Sequence, residues 1–240
     1  MIDSNLQFDD HISGKVKTAN RILGLIKRCF KNLDINSFLL LHKSLIRSHL
    51  EYAQTVWSPY KVKSIEALEG VQRRATKILP GFGTLAYKER LQRLKLPTLV
   101  YRRARGDMIE VYKILRGYYD PESVPCLQKC IYPNTKGHTW KLYQLQSHLK
   151  CRECSFTVRV VRRWNKLPDD VVNAPSVPSF ENRLDKHWAC QEFLYDFKAP
   201  LLSQSSWTLD FDLALVRVEC ASLGVRVVAV IQLTDVQQWA

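Results

Sequence analysis

No stretch of this 240-residue chain approaches the ~18–20 consecutive apolar residues of a membrane span. Its most apolar segment, Leu223–Leu233, is short and broken by Arg226 and Gln232. The N-terminal MIDSNLQFDDHI is acidic and lacks the apolar centre of a secretory leader. The seven cysteines are odd in number, which suits reduced thiols better than a disulfide framework. These absences point to an intracellular protein, nuclear or cytoplasmic, with no membrane partner. No run of five Lys/Arg marks a nuclear signal. Signatures of nucleophilic catalysis are also missing. There is no Gly-x-Ser-x-Gly turn, and Gly81-Phe82-Gly83 is too short for a phosphate loop. His11, His42 and His49 lie in helical contexts without a nucleophile to activate.

What is present is positive charge on a globular composition. Apolar residues make up 46% and charged residues 25%, which excludes a disordered chain. The net charge of +13 implies a polyanionic partner, nucleic acid before anionic membrane. Residues 190–240 are net acidic, at −3, so residues 1–189 carry +16. That shift in charge and style marks a boundary near 189–200, and the divergent tail beyond it reads as poorly ordered or of foreign origin. Its VRVECASLGVRVVAVIQL is β-branched and strand-like.

Hydrophobic periodicity predicts helices over most of the first half. Over 14–33, Val16, Ala19, Leu23, Ile26 and Phe30 recur at three- and four-residue steps, with Lys17, Arg21, Arg28 and Lys31 on other faces. A second helix runs from about Phe38 to Glu51, capped by Asp34 or Ser37, with Leu41, Leu45 and Leu50 as core candidates. A third, about 61–79, carries the stripe Ile65, Leu68, Val71, Ala75 and Ile78 and stops at Pro80-Gly81. A short helix near 85–94 follows. A fifth runs from a Thr98 cap to Leu115, with Gly117 as its stop. Residues 1–117 thus read as a helical bundle. Prolines at 121, 125 and 133 make 118–155 loop-rich. Phe156–Val161 alternates as one short strand, Trp164–Pro168 reads as a turn, and Ser179–Trp188 reads as a helix capped by Ser176 or Ser179. The expected fold class is mainly α, with a small α+β closing unit over 118–189.

Several separate motifs carry a resemblance. HLEYAQTVWSPY and IEALEGVQRRATKIL resemble the region just after the polymerase palm in non-LTR (LINE-type, jockey-like) retrotransposon reverse transcriptases. IDSNLQFDDHISGKVKTANRILGLIKRCF is similar to the passage from palm into thumb. KGHTWKLYQ, SFTVRVVRRWNKLP and APSVPSFENRLDKHW are similar to the closing region of the same reading frames. The resemblance covers about residues 2–188 in order and implies a thumb-like N-terminal bundle. The family's activity is RNA-directed DNA synthesis at palm aspartates in an aromatic-x-Asp-Asp turn, a position expected before residue 1. Phe8-Asp9-Asp10 has Gln7 where the aromatic belongs, and Leu167-Pro168-Asp169-Asp170 has none. The resemblance therefore implies a non-catalytic remnant that binds RNA or DNA without sequence preference, with the upstream palm as a further partner. The alternative is a vestigial or protein-interaction product.

The binding candidates are Lys61, Lys63, Arg73, Arg74 and Lys77 around the third helix, and Tyr101, Arg102, Arg103 and Arg105 opening the fifth. Lys and Arg neutralise phosphates and release counterions, which positions a nucleic acid without reading it. Taken singly, each is as well explained as a solvated helix face. Trp57, Tyr60, Trp140, Trp164 and Trp188 suit core packing better than base stacking. Cys126, Cys130, His138, Cys151 and Cys154 have the residue types of a zinc site. The cysteine that would close a Cys-Cys-His-Cys knuckle is missing near Tyr143, so reduced structural cysteines are the expectation and no cofactor is required.

Overall fold

The computed structural model describes residues 8–130 and 137–199, which lie in the compact unit Met1–Leu201. The strand-like segment at 216–233 and the rest of the tail beyond 199 lie outside the described residues.

The chain opens with α1 (Asp9–Cys29), whose buried face is Ile12, Ala19, Leu23 and Ile26. Asp34 caps α2 (Ile35–Leu41) by accepting from the Asn36 and Ser37 amides at 3.0 and 3.1 Å. A π-helical turn (His42–Ile46) joins α2 to α3 (Arg47–Glu51). The second helix expected from sequence is thus one rod with a widened turn. Its buried face is Phe38, His42, Ile46 and Leu50; Leu41 packs against that core partly buried, and Leu45 is exposed. A four-residue step drifts around an α-helix of 3.6 residues per turn, and the wider π turn offsets that drift. After the short α4 (Gln54–Trp57) comes α5 (Val62–Ala75), then α6 (Tyr87–Leu94). Leu68, Val71 and Ala75 of α5 and Leu91 and Leu94 of α6 join α1–α3 in one apolar cluster.

The longest later helix, α7 (Leu99–Leu115), starts where Thr98 Oγ1 accepts from the Tyr101 amide at 3.1 Å and stops before Gly117, whose φ of 72° suits glycine. Leu99 belongs to the first apolar cluster, while Tyr101 to Tyr112 form the floor of a second. That second cluster is closed by α9 (Phe156–Asn165), α10 (Asp169–Val172) and α11 (Val177–Trp188), after the one-turn α8 (Lys150–Glu153). Trp164, Trp188, Phe180 and Phe193 fill it. A 3₁₀ turn, Glu192–Leu194, returns to the start of α7, where the Thr98 amide donates to Leu194 O at 2.9 Å and Thr98 Oγ1 to Phe193 O at 2.8 Å.

The expected α+β closing unit is not what forms. Phe156–Val161 is the first part of helix α9, and Trp164 lies inside that helix instead of starting a turn. Val158, Val160, Val161 and Trp164 are all buried, a three- and four-residue spacing that six residues of alternating Val and polar side chains conceal. Among the described residues the only pairing of extended chain is an isolated antiparallel bridge between Lys129 and Leu142.

A buried seam of charge runs along α7. Asp107, 2% exposed at its side chain, receives Arg159 in a bidentate pair at 2.9 and 3.1 Å and Arg163 at 3.5 Å. Arg159 also donates to Thr55 O at 2.7 Å and to Cys154 O at 3.1 Å. One guanidinium so ties α7 to the α4 turn and to the end of α8. One turn back, Arg103 lies in the field of Glu69, Glu51 and Asp107. Asp107→Asn leaves two buried guanidiniums without their anion, and a loss of about 3–5 kcal/mol is expected in the urea unfolding free energy. His42 gives a pH dependence. Both ring nitrogens are buried without a hydrogen-bond partner, and burial, with the Arg47 and Arg102 cations adding, lowers its pKa from 6.5 to about 4. The unfolded chain then takes up a proton near pH 6.5 that the folded chain refuses until pH 4. This group's contribution is complete above pH 6.5 and is lost as pH falls toward 4, by about 3 kcal/mol. The corresponding slope in stability against pH should vanish in His42→Phe.

Candidate nucleic-acid interface

Exposed basic residues occur along much of the chain, among them Lys43, Lys88, Arg93, Arg152, Arg162 and Lys186, and α1 and α5 place a set of them side by side. Between Asp10 and Asp34 the sequence holds no acidic residue. In that span Lys17, Arg21, Lys27, Arg28 and Lys31 are exposed. Lys17, Arg21 and Arg28 fall within one stripe of α1, because steps of four and seven residues return close to the same face. On α5, Lys63 and Arg74 share an exposed stripe by the same rule, Lys77 follows in the turn just past the helix end, and Glu66 is the exposed acid among them.

Side-chain bonds fix the two helices against each other. Asp9 of α1 accepts from Lys61 Nζ at 2.6 Å and Ser64 Oγ at 3.2 Å, and the Lys61 hydrogen bond holds its carboxyl below the usual range. Three turns further on, Asn20 Oδ1 accepts from Arg74 Nε at 3.2 Å and Nη2 at 3.0 Å. Positions rise together on both helices, so α1 and α5 run in parallel. Arg74 Nη1 lies back over Gly70, 3.7 Å from where a Cβ would stand, an ordinary van der Waals distance. Lys17 to Arg28 and Lys63 to Arg74 each cover eleven residues, roughly 16 Å of helix. That length matches about five base steps of 3.4 Å along one strand.

The remaining sequence-based candidates are engaged with other side chains or buried. Lys61 is engaged with Asp9. Arg73 turns its guanidinium over the Tyr87 and Phe197 rings, each at 5.4 Å. Tyr101 is buried against Trp188 and Phe193, and its hydroxyl donates to Asp185 at 3.2 Å. Arg102 forms a two-point pair with Glu51 of α3, one contact at 2.9 Å. Arg103 is interior, and Arg105 is clamped by Asp185 of α11 at 2.6 and 2.9 Å, with Glu181 at 3.2 Å. These bonds raise the Arg105 pKa, Asp185 most. The cluster that opens α7 therefore joins α7 to α3 and α11 and does not reach the α1–α5 surface. Lys17, Arg21, Lys27, Arg28 and Lys31, in turn, were readable as an acid-free amphipathic helix but not as neighbours of α5.

The cysteine and histidine set does not converge either. His138 is buried, its Nε2 3.0 Å from Trp164 O, and Cys126 and Cys151 are exposed. Among the described residues no three His, Cys, Asp or Glu side chains are grouped to hold a metal ion. Trp57, Trp164 and Trp188 are core residues, and Trp140 is half-buried under Lys129 Nζ at 4.1 Å from its ring centre. Asp9 and Asp10 open α1, and Asp169 and Asp170 form the first turn of α10, where acidic side chains favour the helix dipole. No described helix is long and apolar enough to cross a membrane.

The fold and this surface define a mainly α-helical protein with a basic helix pair on its exterior. No family model, curated protein or solved structure matches the chain. The division between surface and interior arginines has a direct test. Arg102→Ala and Arg105→Ala should each lower the unfolding free energy measured in urea, by about 1 kcal/mol for partly exposed ion pairs. Neither should change oligonucleotide affinity measured on the same preparations.

Proposed function

We propose that this chain is a post-palm, C-terminal portion of a non-LTR retrotransposon reverse transcriptase, acting as a non-catalytic grip on RNA or DNA. The observation that carries this reading is the parallel α1–α5 pair, with Lys17, Arg21, Arg28, Lys63, Arg74 and Lys77 exposed along it and hardly any acid between them. Such a surface neutralises phosphates and is indifferent to base sequence. The motifs at 2–188 favour a reverse-transcriptase origin, and the thumb-like bundle would be the part that holds a template–primer duplex. No aromatic-x-Asp-Asp turn occurs in the sequence, so the reading assigns no polymerase chemistry to these residues. The upstream palm would be the natural protein partner.

One observation favours a second reading, a protein-interaction product. Leu25, Phe30, Ile35, Leu40 and Leu45 are exposed around the end of α1 and along the second helical rod, Leu40 at 70%. A string of large apolar side chains in water suits a covered face.

The test is fluorescence-anisotropy binding of the whole chain to single-stranded RNA, single-stranded DNA and an RNA–DNA duplex across a salt series. Saturable binding with a steep negative salt slope is expected. The triple variant Lys63→Ala, Arg74→Ala, Lys77→Ala should reduce that slope by about three, near one per lost phosphate contact, and weaken all three ligands alike. Absence of binding at low salt, where attraction is strongest, would sink the grip reading.

A further inference from the structure

Arg73, Arg90 and Arg103 each carry guanidinium nitrogens that are buried without a hydrogen-bond partner. Arg103 has its counter-charges, because Glu69, Glu51 and Asp107 all act on it. Arg90 does not. It is 1% exposed, with Nε and Nη1 unpartnered, and the charged or polar groups acting on it are the Tyr87 phenol and the Arg73 cation.

Both guanidiniums converge on one ring. Arg73 Cζ lies 5.4 Å and Arg90 Cζ 5.6 Å from the Tyr87 centroid. Tyr87 cannot act as their anion: its hydroxyl donates to Glu69 Oε2 at 2.8 Å, and burial raises the phenol pKa further. Glu69 is occupied as well, since its Oε1 accepts from the Val100 amide at 3.1 Å and it faces Arg103. The α6 helix begins at Tyr87 with no side-chain acceptor at its N-cap, Ala86, and carries the exposed Glu89 in its first turn. Ring faces attract cations, but they do not repay the desolvation of the Arg90 guanidinium, which also lies in the field of the Arg73 cation. The arrangement is that of an anion site. A planar guanidinium fork fits the tetrahedral oxygens of phosphate and can bind two of them at once. Phe197 packs over the Arg73 guanidinium at 5.4 Å and edge-on to Tyr87 at 6.3 Å, as a cover.

We propose that Arg73 and Arg90 form a pocket for a single phosphate group, with Phe197 as its lid. The group is either a phosphodiester of a nucleic acid lying along α5, where Arg74 is the next residue, or a free phosphate. Only the phosphodiester source rests on the grip reading above.

The experiment uses the whole chain and inorganic phosphate as probe, titrated in thermal unfolding and calorimetry against sodium chloride at matched ionic strength. Phosphate should raise Tm saturably beyond chloride, as a ligand of the folded state does. Arg73→Gln and Arg90→Gln should abolish that rise, whereas Lys63→Ala with Lys77→Ala should keep it. Phe197→Ala should tighten phosphate binding about 2–5-fold by removing the competing ring contact. Arg73 is only half-buried, so its variant serves if Arg90→Gln fails to fold. A phosphate effect no larger than that of chloride, or one unchanged in Arg73→Gln, overturns the pocket. Competition of phosphate by an oligonucleotide assigns the diester source, and a saturable phosphate effect without competition assigns the free anion. A chain that binds phosphate saturably but no oligonucleotide keeps the pocket and removes the grip.

Discussion

The fold hangs on the burial of charge along one helix. α7 touches α4, α5, α9, α11 and the Glu192–Leu194 turn, and its polar residues are what make those contacts specific. Asp107 holds Arg159 and Arg163 of α9, and Arg103 lies among carboxylates from α3, α5 and α7 itself. A buried ion pair adds little net stability over an apolar core. Mispairing it, however, strands a charge in a dry interior. Any other register of α9 on α7 would separate Asp107 from both arginines. The seam therefore selects one packing among several that the apolar stripes alone would tolerate.

That selection has a consequence for the surface. The chain is strongly basic, but a large part of its positive charge near α7 is committed inward or to neighbouring acids. Arg102, Arg103, Arg105, Arg159 and Arg163 all have carboxylates in reach. Among the cations left exposed, those on α1 and α5 are held together in parallel by Asp9 and Asn20. Arg73, Arg74 and Lys77, within five residues of one helix end, have three different environments: a pair of aromatic rings, an asparagine on the next helix, and solvent. The anion pocket and the basic surface are therefore adjacent but physically distinct. One gains strength from desolvation, the other from counterion release.

Much of the helical order was legible in the residues. The stripe Leu68, Val71, Ala75 defined α5, the Thr98 cap and Gly117 stop bracketed α7, and Ser176 opened α11. α9 was not legible as a helix. Val-rich alternation over six residues satisfies a strand as well as a helix, and only burial of Val158, Val161 and Trp164 on one face separates the two. Likewise the four-residue spacing of Phe38, His42, Ile46 and Leu50 was masked by leucines that end up exposed, because a π turn leaves no composition signal.

Sequence by itself determined the helical class, the excess of positive charge and several helix caps and stops, such as Asp34, Thr98, Gly117 and Ser176, since these depend on propensity, spacing and local capping. No Gly-x-Ser-x-Gly turn and no aromatic-x-Asp-Asp turn is written in it. Tertiary structure decided which arginines are available. Arg105 and Asp185 are eighty residues apart in the chain and 2.6 Å apart in space. Arg102 meets Glu51, and Arg90 meets no carboxylate among the described residues. A guanidinium has the same residue code whether it is neutralised, solvated or buried alone. Its availability to a phosphate depends on which distant acid the packing brings beside it, and that only the fold can set.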